Sequence, residues 1–207
     1  MATERELKYS VTKAFPDSMV LQAVFEANDY DLSQAVYKSY KDRYYDDALG
    51  TLKQAGYALR RRRSAKLNLA TLKTRGAVDG AQHEREELEL PLEGRYWPEE
   101  IKRQLMSLCP LENLRTQLEL ATERTEYKVK QTGKPIAVIA FDEVRANYPK
   151  SEQSVQFSET EIEAVDDTSL ETLEAIAELI DRFVPLSPNS SSKPERARAL
   201  LSLGEGF

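Results

Sequence analysis

The sequence predicts an α+β fold on an antiparallel sheet, and three observations carry that prediction. Charged side chains recur at every second position in at least five segments, which is the period of a β-strand. Strand-like segments number about eight, against three or four helical ones. The clearest helix, running from Leu170 up to Pro185, has a single apolar stripe of Leu170, Leu173, Ile176, Ala177 and Ile180 suited to covering one side of a sheet. At 207 residues the whole chain, 1–207, reads as one domain, long enough for a real core and too short for two comfortable ones.

The first strand sets the pattern. Glu4, Glu6 and Lys8 alternate, so a strand turns all three to one face. At about 3.3 Å per residue the two carboxylates stand roughly 6.6 Å apart, close enough to share a divalent cation bound at about 2.1 Å. Lys8 then reaches the anion that the cation holds. Tyr9 to Val11 continue the strand, and Pro16 opens a helix of about ten residues that ends at Asn28-Asp29. From Ala35 to Asp46, Val36 with Tyr37, Tyr40, Tyr44 and Tyr45 predicts a second strand. A short polar helix or turn stops at Gly56. Tyr57 to Arg63 then places Arg60 and Arg62 on one face, with Leu59, Arg61 and Arg63 on the other. In the next strand, Leu67 to Lys73, Thr71 and Lys73 share a face.

Gly76 and Gly80 mark a hairpin, after which Arg85, Glu87 and Glu89 form another ladder. Trp97-Pro98-Glu99-Glu100 starts a helix with Pro98 at its first position, carrying Ile101, Leu105 and Leu108 until Pro110. Leu118 to Val129 is a strand with Arg124, Glu126 and Lys128 on one face. Gly133-Lys134 turns the chain into the most apolar strand, Ile136 to Val144, which Asp142 interrupts. Val155 to Val165 carries a second acidic ladder, Glu159, Glu161 and Glu163. Thr168-Ser169-Leu170-Glu171 caps the amphipathic helix, Ser187 to Ser192 reads as a flexible loop, and Lys193 to Leu203 forms a last helix entered through Pro194.

Composition excludes several functions. With 29 basic and 35 acidic residues the net charge is -6, which argues against a general nucleic-acid binder and against Arg60 to Arg63 as a nucleic-acid patch. Cys109 is the sole cysteine, so no internal disulfide or multi-cysteine zinc site forms, and a reducing compartment is expected. His83 is the sole histidine, so multi-histidine catalysis is out of reach. The longest apolar run, Ile136 to Phe141, is far too short to span a bilayer, and a soluble cytoplasmic protein without membrane partners is expected.

If the strands close into a barrel with helices outside, the charged faces line its interior. Such an interior gathers Glu4, Glu6, Glu87, Glu89, Glu159, Glu161 and Glu163 against Lys8, Arg60, Arg62, Lys73, Arg85, Arg124 and Lys128. Like charges on neighbouring strands, roughly 5 Å apart, repel by about 3 kcal/mol at an effective dielectric of about 20. The interior must therefore be wet, internally paired and filled by counter-ions. A multiply charged anion with a divalent metal supplies that filling, carboxylates taking hard Mg2+ or Mn2+ and Arg and Lys taking phosphate oxygens.

These motifs, in this order, resemble the CYTH superfamily, the triphosphate tunnel metalloenzymes. The resemblance covers nearly the whole chain. It rests on Glu4-x-Glu6-x-Lys8, Tyr44-Tyr45-Asp46, Leu59-Arg60-x-Arg62, Thr71-x-Lys73, Arg85-x-Glu87, Arg124, Asp142, Glu159-x-Glu161-x-Glu163 and Ser192-Lys193. Asp47 stands where the family usually has Thr, and Arg61 where it has an apolar residue. The resemblance implies a closed eight-stranded antiparallel β-barrel, a tunnel with helices packed outside, that acts on triphosphates with Mg2+ or Mn2+. It implies that Glu4, Glu6 and Glu163 hold a first metal, with Glu161 and Glu159 as a second-metal or water-positioning pair. It implies a triphosphate cradle of Lys8, Arg60, Arg62, Lys73, Arg85 and Arg124, joined by Lys193 from the last helix; Lys73, Glu159 and Glu161 form the expected catalytic set.

Elsewhere the expectations are plainer. Tyr44, Tyr45 and Trp97 pack; Cys109 is buried or inert; His83 lies at the surface of a hairpin; Asp142 orients an arginine; Glu126 and Lys128 face the tunnel or pair across strands. The function expected is hydrolysis of inorganic triphosphate to pyrophosphate and phosphate, by a monomer or homodimer acting on a small-molecule substrate. A class IV adenylyl cyclase, a thiamine or nucleoside triphosphatase and a non-catalytic polyphosphate-binding module are the alternatives.

Overall fold

The alternation of the ladders is realised in one continuous antiparallel sheet. The computed structural model describes residues 1–204. Its strands are β1 (Ala2–Val11), β2 (Asp31–Leu32), β3 (Val36–Asp46), β4 (Ala58–Arg63), β5 (Asn68–Lys73), β6 (Ala77–Asp79), β7 (Gln82–Pro91), β8 (Arg115–Gln131), β9 (Lys134–Asn147), β10 (Ser154–Ala164) and β11 (Ser187–Pro188). The α-helices are α1 (Ser18–Glu26), α2 (Thr51–Gln54), α3 (Glu99–Leu105), α4 (Leu170–Asp181) and α5 (Lys193–Gly204). Eight long strands run in the order β1-β10-β9-β8-β3-β4-β5-β7, and β7 pairs back onto β1 to close the barrel. The short β2, β6 and β11 attach to β8, β7 and β1.

Local chemistry fixes the connections. β8 and β9 meet at Thr132-Gly133, both at positive φ (50° and 78°), as a two-residue hairpin of this twist requires. Gly80, at φ 57°, turns β6 into β7. At Gly76 a Cβ would lie 1.8 Å from the Glu84 carbonyl oxygen, so only glycine lets the hairpin arms approach. Helix α1 starts later than Pro16 suggests, because the Asp17 side chain accepts from the Met19 amide and caps it. Pro98 is likewise the extended cap of α3 rather than its first residue, and α3 ends at Leu105, short of Leu108. Ser169 caps α4 through the Thr172 amide.

The apolar residues lie mostly outside the barrel. Leu21 and Phe25 of α1, with Leu173, Ile176 and Ile180 of α4, bury Tyr127, Val129, Ile139, Phe141 and Ile162. Leu52 of α2, with Ile101 and Leu105 of α3, covers Leu59, Ala70 and Leu72. A third cluster differs: Ala197 and Leu201 of α5 meet Leu118, Leu120, Val144, Ala146 and Phe157. These strand residues share parity with Arg124, Asp142 and Glu159, so α5 packs against the inward face and plugs one end of the barrel.

The segment Ser187 to Ser192, expected as a flexible loop, is pinned. β11 pairs with β1, and the Asn189 amide donates to the Lys8 carbonyl at 3.0 Å. His83, expected at the surface, is buried; its Nε2 lies 2.8 Å from the Asn189 carbonyl, which can only accept, so Nε2 carries the proton. Among the described residues no helix is long and apolar enough to cross a membrane.

Candidate active site

The inward faces of the strands enclose a cavity of about 390 Å³. Lys8, Arg60, Arg62, Lys73, Arg85, Arg124 and Lys193 line it, with Glu4, Glu87, Glu89, Glu161 and Glu163 between them. Register explains the mixture. Closure places Glu4 opposite Arg85, Lys8 opposite Glu161, Lys73 opposite Glu87 and Arg124 opposite Asp142. Acids thus meet bases at four cross-strand positions, while Glu6 faces Glu163 and Asp142 faces Glu159.

Three ion-pair groups result. In the first, Lys73 Nζ lies 2.8 Å from Glu4 and 2.8 Å from Glu87, while Arg85 reaches Glu4 at 2.8 Å and Glu6 at 3.0 Å. Lys8 adds a 3.0 Å contact to Glu6. In the second, Arg124 grips Asp142 through two 2.7 Å bonds and Glu161 through one of 2.7 Å. Lys193 Nζ stands 2.9 Å from Asp142, 2.5 Å from Glu159 and 2.6 Å from Glu161. In the third, Arg62 holds Asp42 by bonds of 2.9 and 2.7 Å and stacks over Tyr40 at 4.2 Å. Arg60 donates to Thr71 Oγ1 at 3.1 Å and to Glu89 at 3.4 Å.

Burial and charge then pull the carboxyls apart. Burial alone would raise Glu4, but Lys73 and Arg85 hold it well below the usual carboxylate range. Glu161 is buried too, and Lys193, Lys8 and Arg124 keep it low. Glu163 goes the other way: burial, then the charges of Glu4, Glu6 and Glu161, push it up to about 7. Burial raises Glu87 and Glu159 as well, against the pull of Lys73 and Lys193 respectively. Lys8 keeps its proton, because Glu6 and Glu161 outweigh its burial.

The predicted residues come together with few exceptions. Glu6 and Glu159 are buried behind the wall rather than on it. Glu126 has the inward parity of Arg124 but pairs across the strands with Lys38 at 2.6 Å, and Lys128 is exposed; neither lines the cavity. Sequence reasoning missed Asp42, although it shares parity with Tyr44 and is fully buried against Arg62. The Arg60–Arg63 run divides cleanly: Arg60 and Arg62 point in, while Arg61 stacks outside on Trp97 at 4.1 Å. Cys109 is buried, and burial raises its thiol.

The donor set suits a hard divalent cation. Glu163 makes no ion pair among the described residues and stands beside Glu4, Glu6 and Glu161, burial first and then these neighbouring charges raising its carboxyl. Among the described residues, the one group of three acids with ligand atoms within 4.8 Å of one another is instead Asp142, Glu159 and Glu161.

A closed antiparallel barrel with a plugged, charge-lined tunnel is a defined structural class. The chain belongs to the CYTH domain family, whose model matches residues 2–197. Similar solved structures include the Hippeastrum protein HpAC1, a candidate adenylyl cyclase described as revealing a dominant triphosphatase activity. It is 18% identical, with 95% of each chain covered and a TM-score of 0.64. A candidate adenylate cyclase from Bacillus halodurans is 19% identical over 95% of this chain and 98% of its own, with a TM-score of 0.57. A Pyrococcus horikoshii protein is 17% identical over 99% of both chains, with a TM-score of 0.53. At such identities the likeness is one of fold. Among curated proteins none matches this sequence.

Proposed function

We propose that the chain is a metal-dependent inorganic triphosphatase that cleaves tripolyphosphate to pyrophosphate and phosphate. The observation that carries this reading is the cavity wall, where among the described residues seven cations meet in about 390 Å³ and Tyr44 is the sole aromatic side chain. That wall suits a ligand made entirely of phosphate. Lys8, Arg60, Arg62, Lys73, Arg85 and Arg124 would hold the phosphoryl oxygens, with Arg62 and Arg124 oriented by Asp42 and Asp142. Water adds to the terminal phosphorus as the bridging P–O bond breaks. Lys73 and Arg85 would neutralise charge growing on the phosphoryl and leaving oxygens. Glu4, Glu6 and Glu163 would hold Mg2+ or Mn2+, and the bound ion supplies Lewis acidity and a more acidic water.

A second cavity, of about 280 Å³, shares Tyr44, Lys73 and Arg85 with the first and adds Tyr45 and Tyr57. It gives room for the organic part of a nucleoside triphosphate, and so favours a nucleoside triphosphatase or class IV adenylyl cyclase as the second reading. Phosphate release is measured from tripolyphosphate and ATP, with Mg2+, Mn2+ or chelator. The first reading expects fast tripolyphosphate turnover that chelator and Glu163→Gln both abolish. Preferential conversion of ATP to phosphate, or to pyrophosphate and a cyclic nucleotide, replaces it with the second; no turnover of either leaves a binding module.

A further inference from the structure

Asp142, Glu159 and Glu161 have the look of a metal site, with three carboxylates converging and both Glu159 oxygens buried without an aligned hydrogen-bond donor. The space between them is taken. Lys193 Nζ contacts all three carboxylates at 2.5–2.9 Å, and the side chain is 7% exposed. We propose that the Lys193 ammonium is a built-in substitute for a second divalent ion, so that this chain binds one metal fewer than its carboxylates could hold.

The backbone commits the lysine to this place. Ser192 and Glu195 form half of a capping box, the Ser192 amide and hydroxyl donating to Glu195 at 2.9 and 2.6 Å, which sets Lys193 as the first residue of α5. Upstream, the pairing of β11 with β1 and the His83 bond to Asn189 anchor the approach. The lysine therefore enters from a pinned strap and not from a free tail. The oxygens of Asp142 and Glu161 are engaged as well: Arg124 takes both Asp142 oxygens and one from Glu161, and Lys8 lies 3.2 Å from Glu161. A divalent ion with oxygen ligands at about 2.1 Å has no room beside an ammonium in contact with the same three groups. Glu163, by contrast, has no cationic partner among the described residues.

This inference deepens the metal-dependent reading and rests on it only for the ion at Glu163. Counting metal needs no turnover, so the two fail separately. Mn2+ bound per chain is measured by calorimetry and by the EPR signal of free Mn2+, for wild type, Lys193→Ala, Lys193→Ser and Lys193→Ala with Glu159→Gln. Both single variants are expected to bind one more Mn2+ than wild type, and the double variant to lose that extra ion. Methylammonium, standing in for the lost side chain, is expected to weaken the extra site alone. Serine suits a helix start, so Lys193→Ser keeps α5 formed if the alanine variant is unstable. An unchanged count in folded Lys193→Ser overturns the proposal, as does an extra ion that survives Glu159→Gln.

Discussion

Arg85 bridges the two carboxylates, Glu4 and Glu6, that the metal reading needs, and it also lines the cavity that the phosphate reading needs. Each such pair within the tunnel ties up one ligand for cation and one for anion. Arg85→Gln is therefore expected to act in opposite directions on the two: Mn2+ binds tighter, on the order of 10-fold, while the KM for tripolyphosphate rises. Calorimetry with Mn2+ and steady-state kinetics read the two effects, and weaker Mn2+ binding in the variant would sink the idea. Asp42 makes a different point. Burial would raise its carboxyl, but Arg60 and Arg62 hold it below the usual range. Asp42→Asn leaves two buried guanidiniums short of a counter-charge and is expected to cost about 3–5 kcal/mol near neutral pH. A depressed carboxyl stabilises the fold above its unfolded value of about 4 and loses that contribution as pH falls through the folded value. Urea titrations should therefore show the gap between wild type and variant fully open at pH 6 and narrowing below about 4. The parity of Tyr40, Asp42 and Tyr44 was readable in the sequence. The alternation of Lys41, Asp42 and Arg43 disguised it, because a lone acid between two bases reads as surface.

At the scale of elements, the long strands were legible because their charges keep period two for several residues. The pieces that fix the plug were not. β11 is two residues long, too short to show a period, and it exists because β1 offers it an edge. His83 looked exposed because glutamate follows it, yet the strap packs over the hairpin and buries it. The His83–Asn189 bond is thus a tertiary fact with no local signature. His83→Leu leaves the Asn189 carbonyl without its donor at a cost of about 1–3 kcal/mol. Hydrogen exchange should speed up across residues 187–196 while the amides of β8 and β9 stay protected. Uniform acceleration over the whole sheet would mean that His83 supports the barrel rather than the strap.

At the scale of the whole molecule, the apolar clusters under α1 to α4 lie outside the barrel and the charges inside, so stability and ligand binding occupy opposite faces of the same strands. The fold class was legible for that reason: the two faces carry two different patterns. The separation predicts that the faces can be perturbed one at a time. Ile176→Ala, beneath α4, should cost about 2–5 kcal/mol and lower Tm. Pyrophosphate with Mg2+ at about 100 times its Kd should add about 2.7 kcal/mol to the folded state. For a chain of this size that raises Tm by roughly 5–10 °C. The rise should be the same in Ile176→Ala as in wild type, because the helix never touches the tunnel. In Arg124→Gln the rise should shrink or vanish, since that side chain faces the cavity and is held by Asp142. A thermal scan with and without ligand decides it: a smaller rise in Ile176→Ala would show that α4 and the tunnel are coupled through the sheet, and that the two faces are not independent.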